Sequence, residues 1–133
     1  MMRSATLFAA ALLLCLTPPA AASHYSLLEL AGMYVARGNV ATALDLFARA
    51  IAAEPTNISA YEARAFYYLK LERPEDALDD FSAVLALAPK YVAGYLSRGL
   101  VYSQLGQSDK ARADFAMACT LGDNSGCSFA KGE

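Results

Sequence analysis

The sequence predicts an all-α fold, an α-solenoid of three helical hairpins with a short C-terminal capping stub, and three observations predict it. Residue types return every 34 positions, the spacing inside each period is helical, and turn-forming residues fall at fixed points of the period. Ala43, Ala77 and Ala111 are each 34 apart, as are Phe47, Phe81 and Phe115, and Tyr34, Tyr68 and Tyr102. Leu44 and Leu78 share a further column, which Arg112 breaks. No insertion is needed to keep these columns aligned. Because aromatic columns repeat in register with the Ala columns, an Ala-rich composition does not account for the pattern.

A chain of 133 residues is long enough for one domain, and its 56% hydrophobic content is that of a packed protein. Eleven basic and thirteen acidic side chains nearly cancel, and they are interleaved rather than gathered into a block that could neutralise phosphates, so no nucleic-acid partner is expected.

Residues 1–22 read as a signal peptide. Arg3 supplies a positive start, Ala5 to Leu16 form an apolar run, and Pro18-Pro19 precede small residues at Ala20 and Ala22. The run is shorter than the about 20 residues a membrane-spanning helix needs, which sets the alternative of an anchor or buried helix behind that of an export signal. Cleavage after Ala22 makes Ser23 the new N-terminus and places the chain in the periplasm or outside the cell, with no membrane span after removal. Leu14, not a small residue, precedes Cys15, which argues against lipidation. Loss of Arg3 leaves ten basic against thirteen acidic side chains.

Residues 23–125 then divide into units at 24–57, 58–91 and 92–125, with 126–133 as the stub. In the second unit Tyr61, Ala65, Tyr68 and Leu69 recur at i, i+4, i+7 and i+8, and Ala77, Phe81, Val84 and Leu85 repeat that stripe. Leu71 to Pro74 breaks the pattern between them. Pro74 opens the second helix, where its missing N–H is harmless, and Glu75 and Asp76 lie at the positive helix end. Gly38-Asn39 and Gly106-Gln107 fill the equivalent turns, Gly supplying the positive φ of a helix C-cap. Pro55 and Pro89 close the first two units. Ala31, Ala65 and Gly99 face Ala43, Ala77 and Ala111, letting the helices approach while the Phe column fills the space toward the next unit.

These residues resemble the tetratricopeptide repeat family. The likeness rests on Leu27, Ala31, Tyr34, Gly38, Ala43, Phe47, Ala50 and Pro55, then Tyr61, Ala65, Tyr68, Ala77, Phe81 and Pro89, then Tyr95, Gly99, Tyr102, Gly106, Ala111, Phe115 and Ala118. Leu27 replaces the usual aromatic, and Asp123 stands where the closing Pro belongs. The resemblance implies a partner groove lined by the first helix of each unit, here Leu28, Val35, Glu62, Phe66, Leu69, Lys70, Leu96, Leu100 and Gln104. Leu28, Gly32, Leu96 and Leu100 occupy columns where a subset of the family grips a peptide carboxylate, so that clamp is absent. An apolar helix or extended peptide suits the groove better, although some of these apolar residues could instead serve the core or a self-association surface.

Arg64 and Asp80 are sixteen apart, Arg98 and Asp114 repeat the spacing, and Leu30 and Leu46 hold both places in the first unit. Covariation of both places within one chain implies an ion pair across the hairpin; the alternative is an anion site at the two Arg.

With Cys15 removed, Cys119 and Cys127 are the two remaining cysteines of an exported chain, and a disulfide between them is expected. The register makes the tail a stub of a fourth first helix, with Phe129 in the column of Tyr61 and Tyr95. The Ala-Cys-x-Leu-Gly…Gly-Cys arrangement is similar to Sel1-like repeats. The spacing lacks the C-x-x-C of an oxidoreductase, and the sole His, His24, lies at the far end, so neither a metal nor a cofactor is expected. Nothing assembles a nucleophile and base, so the chain is not read as an enzyme. The expected function is a protein or peptide interaction module of the cell envelope; the alternative is a structural or accessory subunit of an envelope assembly, joined through its C-terminal edge and able to self-associate.

Overall fold

The structure, a computed structural model, describes residues 25–132. The expected signal peptide and His24 lie outside the described residues. Those residues form α1 (Leu27–Ala36), α2 (Val40–Ala53), α3 (Ile58–Lys70), α4 (Pro74–Leu87), α5 (Val92–Gln104), α6 (Ser108–Thr120) and α7 (Asn124–Lys131), with no strand among them. Successive helices pair as α1/α2, α3/α4 and α5/α6 hairpins, and α7 lies against α6.

Local chemistry sets the helix starts. The Ser26 hydroxyl accepts from Glu29 N at 3.2 Å while Glu29 Oε2 accepts from Ser26 N at 2.7 Å, a reciprocal cap for α1. That backbone bond, with the hydroxyl bond behind it, holds the Glu29 carboxyl below its ordinary pKa. Asn39 and Asn57 cap α2 and α3 through their side-chain oxygens alone, which accept from Thr42 N and Ala60 N, and Pro74 opens α4.

Each hairpin turn ends its first helix in a left-handed residue. Gly38 and Gly106 take this conformation at φ 70° and 73°. Glu72, in the same column, is forced into it at φ 56° despite carrying a side chain.

The core follows the columns. Ala31, Ala43, Ala65 and Ala77 have no exposed surface, Ala111 is buried, and Phe47, Phe81 and Phe115 are buried beside them. Gly99 is required where it stands, because a Cβ there would lie 2.7 Å from the Phe115 ring. A further column, Met33, Tyr67 and Val101, was not read from the sequence. Tyr67 and Val101 are buried, Tyr67 against Phe47 of the preceding hairpin at 6.0 Å between ring centroids, and so seal one hairpin to the next. Met33 has no hairpin before it among the described residues and is exposed.

The last link departs from the expected register. A strict 34-residue repeat of α3 and α5 starts the next helix at 126, whereas α7 starts at Asn124. The cause is the turn. Gly122 N donates to Cys119 O at 2.9 Å and Asp123 N to Ala118 O at 3.0 Å, the Schellman pattern that Gly106 and Gln107 make inside the third hairpin. The junctions between hairpins are built differently, with Asn57 N donating to Glu54 O and Tyr91 N to Ala88 O. Gly122, at φ 101°, admits the tight turn, and Asp123, whose carboxylate accepts from Gly126 N at 2.7 Å, caps α7. The tail is therefore a cap folded back on α6. Phe129 falls two places later along its helix than Tyr95 does along α5, and its ring packs on Phe115 at 5.1 Å between centroids.

Candidate functional site

The first helices α1, α3 and α5 carry all nine residues expected to line a groove, and the structure divides them into two groups. Leu28 and Val35 are half-buried against the core of the first hairpin, and Leu69 against that of the second. Leu96 is half-buried as well. These four offer only an edge to a partner.

Phe66 and Leu100 are different. They are 34 apart, occupy the same place on α3 and α5, and are each 53% exposed. The Phe66 ring stands edge-on to Phe81 at 5.4 Å, so the core fixes its orientation while one face stays open. Large apolar side chains held in the open at repeated places are costly to leave in water, which is a reason to look for a partner there. Gly32 takes the equivalent place on α1 and extends the row without a side chain.

Polar residues flank the row. Lys70 and Gln104 are exposed at the ends of their helices. Glu62 is engaged within the chain, since the Tyr91 hydroxyl donates to Glu62 Oε2 at 3.2 Å and ties α3 to the start of α5. This bond keeps the Tyr91 phenol protonated to higher pH than usual.

The two Arg residues considered as an anion site are used up inside the hairpins. Arg64 donates from Nε and Nη2 to both oxygens of Asp80 at 2.8 and 2.7 Å, and Arg98 repeats the fork to Asp114 at 2.8 Å twice. Asp80 and Asp114 are buried at 3% and 5% exposure. Arg98 reaches further, donating from Nη1 to Ser82 Oγ at 3.1 Å and so joining the second and third hairpins. These bonds raise the pKa of both guanidinium groups above the ordinary value, against the opposing effect of burial. Their chemistry is structural.

Cys119 and Cys127 are bonded to each other, with Cα atoms 4.6 Å apart. Among the described residues no group of three or more His, Cys, Asp or Glu could hold a metal ion, and no helix is long and apolar enough to cross a membrane.

Residues 62–125 match the family model of the tetratricopeptide repeat. No curated protein matches the sequence. Among solved structures, the first TPR domain of Spaghetti (RPAP3), bound to the HSP90 peptide SRMEEVD, is 23% identical, with 80% of this chain and 86% of that one covered at a TM-score of 0.67. The second TPR domain of human RPAP3, in complex with the HSP70 peptide SGPTIEEVD, is 25% identical, with 80% and 91% covered at 0.67. The TPR domain of P58(IPK) is 31% identical over 80% of this chain and 30% of its own length, at 0.65. With the matched segment spanning the second and third hairpins and the superpositions reaching beyond it, the described residues form an all-α helical repeat with the fold seen in tetratricopeptide repeat domains.

Proposed function

We propose that this chain is an exported interaction module of the cell envelope that holds an apolar helix or extended peptide across α1, α3 and α5. The observation that carries the reading is the pair Phe66 and Leu100, more than half exposed at the same place of consecutive first helices. A peptide held by a neighbouring domain at 25% identity supports peptide binding as the mode. The apolar row favours a partner with apolar side chains on one face, selected at the margins by Lys70 and Gln104. The bridged Cys119 and Cys127 support residence in an oxidising compartment. The competing reading, an accessory subunit joined through its C-terminal edge, has less support because α7 already lies over α6 there.

The test is crosslinking capture from an envelope extract with identification of the bound protein, comparing the wild type with Phe66→Glu and Leu100→Glu. Both substitutions sit on open surface, so circular dichroism is expected to stay unchanged while the captured partner is lost. Capture undiminished in both variants refutes the groove. N-terminal sequencing of the processed protein checks export, with Ser23 as the expected first residue.

A further inference from the structure

The C-terminal cap makes a second feature with no counterpart in the earlier hairpins. Helix α7 has 8 residues and runs back along α6, which has 13. At 1.5 Å per residue the two are about 12 and about 20 Å long, so α7 stops short and leaves the first turns of α6 uncovered. Gly132, in the left-handed conformation at φ 78°, ends α7 at that point.

The uncovered space is a cavity of about 220 Å³. The rings of Phe115 and Phe129 form its apolar side, the hydroxyl-bearing Ser103 and Ser108 line it from α5 and α6, and Arg112 and Lys131 bring a cation each from α6 and α7. Arg112 is held only loosely by Asp109, at 3.9 Å with the carboxylate side chain fully exposed, so another anion can displace that partner at little cost. Two cationic, two hydroxyl-bearing and two aromatic residues lining one cavity suit a group that is negative at one end and apolar beside it.

We propose that this cavity binds a carboxylate carried next to an apolar side chain, such as the C-terminal residue of a peptide or a small aromatic acid. The cations and hydroxyls take the carboxylate and the side chain lies on Phe115 and Phe129. The site is assembled by the cap: Phe129 and Lys131 belong to α7, which Gly126 and the disulfide hold to α6. A Cβ on Gly126 would fall 2.8 Å from Ala118 Cβ and from Phe115 O, so the helices touch at backbone distance there. None of the six lining groups belongs to the row of Phe66 and Leu100, and the proposal stands or falls separately from the groove.

The probe is N-acetyl-phenylalanine, titrated into the oxidised, isotope-labelled protein and followed by amide chemical shifts, with N-acetyl-phenylalaninamide as the neutral control. Saturable shifts at Ser108, Arg112, Phe129 and Lys131 are expected with the acid and not with the amide. Arg112→Gln and Lys131→Gln, both on open surface, are each expected to weaken binding about fivefold, the scale of one exposed charge pair. Reduction of the disulfide by dithiothreitol, which oxidises to its own cyclic disulfide as Cys119 and Cys127 become thiols, is expected to abolish the shifts in the unmutated protein. A peptide ending in Gly-Phe with a free carboxylate separates the sources: tighter binding than the acetylated amino acid assigns the site to peptide termini, and equal binding to small acids. Equal shifts with acid and amide, binding unchanged in both charge variants, or shifts confined to residues around Phe66 and Leu100 overturn the proposal.

Discussion

Asp114 is buried with both of its oxygens met by Arg98, and the chain itself contains the control for that arrangement. In the first hairpin the same two places hold Leu30 and Leu46, an apolar pair that packs without any charge. Asp114→Leu alone strands the Arg98 guanidinium, 21% exposed, and is expected to cost about 3 kcal/mol. Making Arg98→Leu as well removes the stranded charge, so most of the loss is expected to return. Urea denaturation of the two single variants and the double closes the cycle, with a coupling of about 1 kcal/mol or more expected. A coupling near zero sinks the pair. Glu29 offers a pH counterpart on the surface. Its carboxyl pKa is lowered in the folded chain by the bond from Ser26 N, so its contribution to the α1 start is present above the unfolded pKa and lost as pH falls through the folded value. Protection factors of the first-turn amides of α1 are expected to drop on acidification in the wild type and to be already low, and flatter with pH, in Glu29→Gln.

At the level of the element, the hairpin turns show how one column can hold a strained member. Gly38 and Gly106 adopt the left-handed conformation without penalty, whereas Glu72 adopts it with a Cβ. The strain of such a residue is about 1–2 kcal/mol, offset in part by the larger unfolded-state entropy that glycine brings, about 0.5–1 kcal/mol. Glu72→Gly is therefore expected to stabilise the protein by about 0.5 kcal/mol and Gly106→Ala to destabilise it, both read from the shift in urea midpoint. A loss of stability in Glu72→Gly contradicts this account. The helices themselves were legible in the sequence because Ala, Tyr and Phe columns must recur wherever one hairpin buries the same face as the next. Tyr67 and Val101 were not, since they share a burial role but no residue type, and Met33 in the same column is exposed. The start of α7 was missed for a related reason: the two residues saved by the Gly122 turn break the period that relates the starts of α2 to α6. For the groove, the sequence indicated which helix faces to consider. The extent to which Leu28, Val35 and Leu69 lean into the core is decided by packing between helices, and spacing alone does not carry it.

Across the whole molecule, the main packing among the described residues is between successive helices, so stability is set by local packing and by the interfaces between successive units. The two large side chains with the least exposure, Phe81 and Val84, both lie on α4 in the middle of the stack. At the C-terminal end, α7 is short and Phe129 remains 46% exposed, so a covalent link contributes what packing area does not. Closing a loop of this length is worth about 2–3 kcal/mol on the chain-entropy model. Reduction is expected to remove that increment where it acts. Hydrogen exchange of the reduced protein should show protection lost along α7 and at the amides around Ala118 that it covers, while α3 and α4 keep the protection of the oxidised form. The nearest-neighbour character of the stack is what confines the effect, because the cap packs mainly on α6 and α4 on α3 and α5. If reduction instead lowered protection evenly from α1 to α7, the hairpins would be unfolding as one unit, and the cap would be part of a single cooperative core rather than a clasp at one end.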